Sequence, residues 1–314
     1  MEVFEQRGNI VAGFDGSDQS REAVLWAAVE AARRSCPLLI VEAQVWPEVS
    51  AGHWPGPVAL PGWDPTSASA WGTMPPFTDQ HVRQRIEQHL AELTDQCRAV
   101  APGISVSVTV VEGTASVALL TAADATEADL LVVGMSGLGS LSRTLLGSTA
   151  ADLVHSTDRP VVVVRDAPPR LDAPVVLGVD GTNASVRAVG FAFDFAARHG
   201  CGVVAVHALS GWPLDVITSA GPSSPETDRS AARNVLYDEF LRPWHDSHPS
   251  VPVHIDVVDE RPAHTLLDHS EQARLMVVGN RGRGAVRRVL FGSVSHVVLH
   301  HAVCPVAIVP GVDS

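Results

Sequence analysis

The sequence contains no apolar stretch long enough to cross a bilayer. Its longest runs, such as DLLVVGM and RPVVVV, fall far short of the roughly 20 residues a membrane helix needs. The first residues, MEVFEQRGN, are acidic and lack a basic segment followed by an apolar core, so no secretory leader is expected. Cysteine is sparse. Cys36, Cys97, Cys201 and Cys304 form no CxxC and no evident disulfide framework; they fit a reducing cytoplasm, packed as small apolar residues. Positive charge is scarce as well: 22 Lys and Arg face 35 Asp and Glu, a net charge of −13. A nucleic-acid scaffold would carry a basic stripe, so neither nucleic acid nor membrane is expected as a partner. The phosphate-loop pattern GxxxxGK[ST] is absent too, and with it the lysine that reaches β- and γ-phosphates.

What is present suits two domains. A chain of 314 residues, 46% hydrophobic and 18% charged, is globular and can bury an adequate core twice over. Two glycine-rich segments stand out: GMSGLGSLSRTLLGST at 134–149, led by LLVV, and GNRGRGAVRRVLFGSV at 279–294, led by MVV. Seven of their 16 positions are identical, including Gly134 with Gly279, Arg143 with Arg288, and Ser148 with Ser293.

The repetition extends along the chain. NIVAGFDGSDQS opens the first half and PVVLGVDGTNAS the second, so Asp180 follows Asp15 by 165 positions. IVEAQVW set against VVAVHAL pairs Gln44 with His207, an offset of 163, whereas Gly134 and Gly279 are 145 apart. The 18-residue shortening falls between the second strand and the glycine segment, in the stretch that follows Trp46; residues 46–76 hold four tryptophans and seven prolines. That stretch is read as a surface loop, with a lid or a partner contact as the functional alternative. The Pro-rich DAPPRLDAP marks the join. The expected units are residues 1–166 and 174–314, with 167–173 as linker.

Each unit alternates strand and helix. NIVAGF, LLIVEAQVW, SVSVTVV, DLLVVG and PVVVV are strands; SREAVLWAAVEAARRS, 78–100, 115–126 and the segment after the glycine loop are helices. Continuous Val/Leu/Ile runs indicate strands buried on both faces, hence parallel sheets covered by helices. The expected fold is α/β, two tandem doubly wound Rossmann-like domains.

In such sheets ligands settle at the carboxyl ends of strands. The glycine segments begin there on the fourth strand, and Asp15 and Asp180 stand there on the first. Glycine permits close backbone approach, and a helix N-terminus favours phosphate. Ser148 and Ser293 add hydroxyls; Arg143 and Arg288, with Arg281, Arg283 and Arg287 in the second unit, offset phosphate charge. The order G-x-x-G-x-G after the fourth strand is not the dinucleotide pattern G-x-G-x-x-G after the first.

The spacing G-2x-G-9x-G-[ST] is met by Gly134, Gly137, Gly147 and Ser148, and again by Gly279, Gly282, Gly292 and Ser293. With the VDG-type first strands and the ending HHAVCPVAIVP, the chain resembles a tandem universal stress protein of the kind common in actinobacteria, over residues 8–166 and 173–311. The resemblance implies the adenine-nucleotide α-hydrolase-like fold and the ATP-binding branch of the family, with Mg2+ accompanying the nucleotide. It implies Asp15 and Asp180 near the ribose, and the backbone of Val45 and Ala208 against the adenine edge. Gly134 and Gly279 lie under ribose and phosphates; Gly137, Gly147, Ser148, Gly282, Gly292 and Ser293 hold the phosphates. Gly13 and Gly178, before the aspartates, and Thr149, Val294 and Arg281, within the glycine segments, complete the set. The first loop, GMSGLGS, lacks the RGRG arginines of the second.

Other features point less far. His296 and His300 are four apart on a helix, a metal-compatible spacing with no third ligand in view. His207 sits in a strand, where a packing role suits it, and Asp15 suits a ribose contact better than general-base work. The expectation is therefore a cytoplasmic regulatory protein binding one adenine nucleotide per domain without dedicated catalysis. The rivals are a slow ATPase or nucleotidyl-transfer enzyme, and a structural dimer with vestigial sites; an unidentified protein partner fits the regulatory reading. The final strands PVVVV and PVAIV, which family topology puts at sheet edges, are expected to pair antiparallel, within one chain or across a homodimer.

Overall fold

A computed structural model describes residues 8–44, 79–137, 146–165, 170–182, 185–209, 225–259, 261–280 and 292–311. The first half runs β1 (Ile10–Phe14), α1 (Asp18–Arg34), β2 (Leu38–Gln44), α2 (Asp79–Val100), β3 (Val106–Glu112), α3 (Ala115–Ala125), β4 (Leu130–Gly134), α4 (Ser148–Ser156) and β5 (Val161–Val164). The second repeats it with β6 (Val175–Gly178), α5 (Val186–His199), β7 (Val203–Ala208) and α6 (Pro225–Val235). A π-helical turn (Leu236–Leu241) leads into α7 (Arg242–Ser247), then β8 (Val253–Val258), α8 (Pro262–Ser270), β9 (Leu275–Gly279), α9 (Ser293–His301) and β10 (Val306–Val309). The Trp- and Pro-rich stretch after Trp46 lies outside the described residues, up to the start of α2.

Within each half the strands pair in parallel, in the doubly wound order β3-β2-β1-β4-β5 and its counterpart β8-β7-β6-β9-β10. Parallel strands covered on both faces must be apolar throughout, and Leu130–Val133, Val161–Val164 and Leu275–Val278 are buried at every position. β5 and β10 join the halves antiparallel, with Ala307 opposite Val162 and Val306 opposite Val163. One ten-stranded sheet results, and both final strands are internal. The intramolecular form of the expected pairing is thus the one seen.

Helix ends follow local chemistry. Ser17 caps α1, its hydroxyl accepting the Ser20 N–H at 3.1 Å. Ser35 closes that helix in the left-handed conformation at φ 55°, where Gly200 closes α5 at φ 64°. The cysteines pack as expected of small apolar residues: burial pushes the Cys97 thiol up to about 11 and the Cys304 thiol up to about 12.

Strand register corrects the repeat alignment. Gly13 stands beside Val41, and Gly178 beside Val206. The second strands therefore keep the offset of 165 found for the first, so Glu42, not Gln44, is the counterpart of His207. Leu38 pairs with Val106 and Val203 with Val253, an offset of 147 on the third strands. Most of the shortening accordingly lies between β2 and β3. The error was a slip of two residues, which keeps every side chain on its own face and so leaves the hydrophobic pattern unchanged. Ala208 then corresponds to Ala43; Val45 lies outside the described residues.

Candidate nucleotide site

β1, β2 and β4 end around a cavity of about 830 Å³ in the first half. Its walls include Gly13 and Asp15 from β1 and the turn after it, Val41 to Gln44 from β2, and Gly134 and Gly137 from the end of β4 onward. Gly147, Ser148, Thr149 and Ala150 bring the start of α4 to it, while Leu119 and Val133 supply an apolar wall. Every predicted first-half residue that is described, from Gly13 to Thr149, meets here.

Asp15 is held in place. Its Oδ1 accepts from the Ser17 backbone N–H at 3.0 Å and the Ser17 hydroxyl at 2.6 Å, and its own N–H donates to Ser20 Oγ at 3.3 Å. Three glycines make room for different neighbours. A Cβ on Gly134 would lie 2.9 Å from the Gln19 carbonyl carbon and 3.1 Å from the Ser20 nitrogen, so β4 and α1 approach backbone to backbone. A Cβ on Gly137 would lie 2.2 Å from Asp15 Oδ2. Gly147 donates its N–H to the Met135 carbonyl at 2.7 Å, closing the glycine loop onto the strand it left.

That closure presents the N-terminus of α4 to the cavity. Gly147 is the N-cap and has no side chain to accept the first free N–H groups, and the first turn carries no acidic residue. The first N–H groups of a helix have no partner within it, and their partial positive charge favours an anion.

Sequence reading missed several contributors. Gln19 Oε1 accepts from both the backbone N–H and the hydroxyl of Ser136, at 2.7 and 2.5 Å, tying α1 to the glycine loop. Glu42 and Gln44 line the cavity, the Gln44 amide donating to Glu42 Oε1 at 2.7 Å. Burial is the largest influence on the Glu42 carboxyl and raises its pKa; the Gln44 hydrogen bond and His89 oppose this, and Asp15 adds to it. Correct alignment with His207 was the signal that would have singled Glu42 out. Among the described lining residues there are two carboxylates and no cationic side chain.

The second half repeats the frame. Asp180 Oδ1 accepts from the Thr182 backbone N–H at 3.0 Å and its hydroxyl at 2.7 Å, while Asp180 Oδ2 is buried with no hydrogen-bond partner among the described residues. An orphaned buried carboxylate oxygen suits a ligand hydroxyl. Gly178 packs against Val278 and Leu266 as Gly13 packs against Val133 and Leu119. Gly292 donates to the Asn280 carbonyl at 2.9 Å, matching the closure at Gly147, and is the N-cap of α9, where Ser293 begins the helix and Val294 packs on the core. Gly279 ends β9, and Ala208 is buried at the end of β7. His207 places a ring nitrogen 2.7 Å from the Val179 carbonyl and is buried. Arg281, Gly282 and the other arginines of the second glycine loop lie outside the described residues, as does Arg143.

His296 and His300 lie 4.4 Å apart between ring centroids with their planes tilted by 36°, and no group of three metal-ligating side chains occurs among the described residues. No helix among them is long and apolar enough to cross a membrane.

Comparison with known proteins agrees with this frame. The model of the universal stress protein family matches twice, over residues 6–165 and 173–310. A universal stress protein of Mycobacterium tuberculosis (strain H37Rv) is 35% identical over 312 residues, 98% of this chain and 99% of its own. One from Mycolicibacterium smegmatis is 36% identical over 306 residues, 96% of each. The crystal structure of a universal stress protein from Archaeoglobus fulgidus superposes with a TM-score of 0.68 at 17% identity, covering 97% of this chain and 99% of that one. At that identity the likeness concerns the fold alone. The two family matches and the full-length mycobacterial relatives place the chain in the universal stress protein family.

Proposed function

We propose that the chain binds one adenine nucleotide in each half, ATP with Mg2+, and that it serves as a regulatory protein without dedicated catalysis. The observation that carries this reading is the uncapped start of α4, closed onto β4 by the Gly147–Met135 hydrogen bond and facing the same cavity as Asp15. The backbone N–H groups of Ser148, Thr149 and Ala150 are suited to phosphate oxygens, with Gly134, Gly137 and Gly147 leaving them accessible. Asp15 is suited to a ribose hydroxyl, and the apolar wall of Leu119 and Val133 to a flat base. Gly178, Asp180, Ala208, Gly279, Gly292, Ser293 and Val294, with Arg281 and Gly282, form the corresponding set in the second half. The nucleotide would supply the charge to which regulatory association responds. Asp15 spends one oxygen on Ser17, which suits a fixed binding group better than a proton acceptor.

Calorimetric titration with Mg-ATP tests this directly. Two sites per chain are expected, with both lost in a Gly147→Val, Gly292→Val variant that retains its circular dichroism. Titration of that variant at wild-type affinity would remove the phosphate assignment. Turnover is expected far below the enzyme median of about 10 per second.

A further inference from the structure

At the opposite end of the first half from the nucleotide cavity, a second cavity of about 230 Å³ opens where the halves meet. Arg34, from the last turn of α1, Arg159 and Pro160, just before β5, Arg187 and Phe191, from α5, and Val309, ending β10, all line it. Three arginines from the two halves thus line one space with an apolar wall. The volume is several times the roughly 30 Å³ of one water molecule.

The arginines are fixed from behind. Arg34 Nε donates to Glu30 at 2.5 Å, and its guanidinium lies 5.6 Å from the Phe191 ring centroid. Arg159 donates to the Ala128 carbonyl at 2.8 Å and Asp124 at 2.7 Å, and Arg187 to the Asp158 carbonyl at 3.3 Å. Each guanidinium has five N–H donors, more than these bonds use. Arg34 Nη2 in particular is buried, in a side chain only 3% exposed, with no hydrogen-bond acceptor among the described residues. A buried donor on a cation left without an acceptor is costly, and a planar guanidinium matches carboxylate or phosphate oxygens in pairs.

Three acids also line the cavity, and two are engaged. Asp129 Oδ2 accepts the Gly8 N–H at 2.9 Å, and Asp194 lies 3.1 Å from His248. Glu127 is the third, held in the left-handed conformation at φ 50°. These carboxylates limit the site to a small anion and disfavour a polyphosphate.

We propose that this junction cavity is a binding site for a small organic anion, its carboxylate or phosphate group received by Arg34, Arg159 and Arg187 and its carbon frame by Phe191, Pro160 and Val309. A ligand there touches α1 of one half and α5 and β10 of the other, so it would strengthen their attachment. The proposal does not depend on nucleotide binding.

Orthophosphate and malonate serve as probes in calorimetric titrations at matched ionic strength. The background is the Gly147→Val, Gly292→Val variant, in which both helix N-termini of the nucleotide sites are obstructed. One anion per chain is expected there, with affinity at least tenfold weaker in Arg159→Gln or Arg187→Gln; the preferred probe identifies the head group. Both substitutions lie outside the Glu30 ion pairs, so the fold is retained, as near-ultraviolet circular dichroism would verify. Failure of both probes to bind, or affinities unchanged within twofold in both arginine variants, overturns the proposal.

Discussion

Glu30 of α1 and His199 of α5 meet across the two halves, Nε2 to Oε2, at 2.7 Å, with both side chains almost wholly buried. Arg274 Nη2 lies 2.8 Å from the other ring nitrogen, Nδ1. A guanidinium only donates, so Nδ1 accepts, and the ring is the neutral tautomer that donates Nε2–H to Glu30. Burial is the largest single influence on Glu30 and works upward. Arg34, the His199 hydrogen bond and Arg198 together outweigh it and hold the carboxyl at about 2. Burial likewise leads for His199 and lowers its pKa below 6.5, against the pull of Glu30 and with Arg274 assisting.

The pH dependence follows from these signs. The folded state binds the His199 proton less well than the unfolded chain, so its stability contribution is complete above pH 6.5 and is lost as pH falls below that value. Urea midpoints should drop from pH 7.5 to 5.5, with His199 contributing at most about 1.4 kcal/mol per pH unit. The His199→Gln variant should show a shallower slope; an identical slope would remove His199 as its source. Glu30, its carboxyl held at about 2, contributes in full above its unfolded pKa of 4.5, and that contribution is lost progressively as pH falls from there to about 2. Glu30→Gln strands Arg34 and Arg198 and should cost about 3–5 kcal/mol at neutral pH.

Gly134 and Gly137 should fail in different ways when given a methyl group. At Gly134 the methyl meets the Gln19–Ser20 backbone, which cannot rotate aside, so Gly134→Ala should lower stability by about 1–3 kcal/mol. At Gly137 it meets the carboxylate of Asp15, which can turn away. Gly137→Ala should therefore keep its melting temperature within a degree or two and lose nucleotide affinity at least tenfold. Equal melting temperatures for both variants would contradict this division.

The strands and the glycine loops were legible because their causes are local. Val161–Val164 and Leu130–Val133 are apolar without a break, which only a doubly covered parallel strand explains. The register of β2 against β7 was not legible, since a two-residue slip preserves the face pattern and only the pairing of Gly13 with Val41 fixes it. Glu42 stayed hidden for that reason. The Glu30 cluster and the junction cavity were out of reach for another: Glu30 and His199 are 169 positions apart and Arg34 and Val309 farther still, and a lone Glu on an Ala-rich helix reads as solvent-facing.

Glu42 gives the first cavity a charge that His207 does not give the second. A carboxylate beside Asp15, in the cavity proposed to receive phosphates, would oppose the ligand's charge. Glu42→Gln should raise first-site Mg-ATP affinity severalfold at pH 7.5, because the amide retains the contact with Gln44 while losing the charge. The affinity of the second site should stay as it was. Calorimetry resolving two sites decides it, and a weaker first site would show that Glu42 binds the ligand directly.

The attachment of the halves rests on β5 and β10, and it can be tested at one residue pair. Ala307 faces Val162 in the antiparallel register, and both are fully buried in the middle of the sheet. Proline at either position lacks the N–H of a ladder bond and is tolerated only at strand edges or bulges. Val162 also belongs to the ladder with β4, and Ala307 to the ladder with β9, so each substitution damages its own half as well as the junction. The informative comparison is therefore Ala307→Pro with Ala205→Pro, which places the same lesion in β7, away from the junction. Both should lower the melting temperature, but only Ala307→Pro should increase the radius of gyration in X-ray scattering while the first half keeps binding Mg-ATP. If scattering curves of the two variants coincide, the strand pair is not what holds the halves together, and the Trp26–Phe195 stack with the Glu30 ion pairs would carry the contact instead.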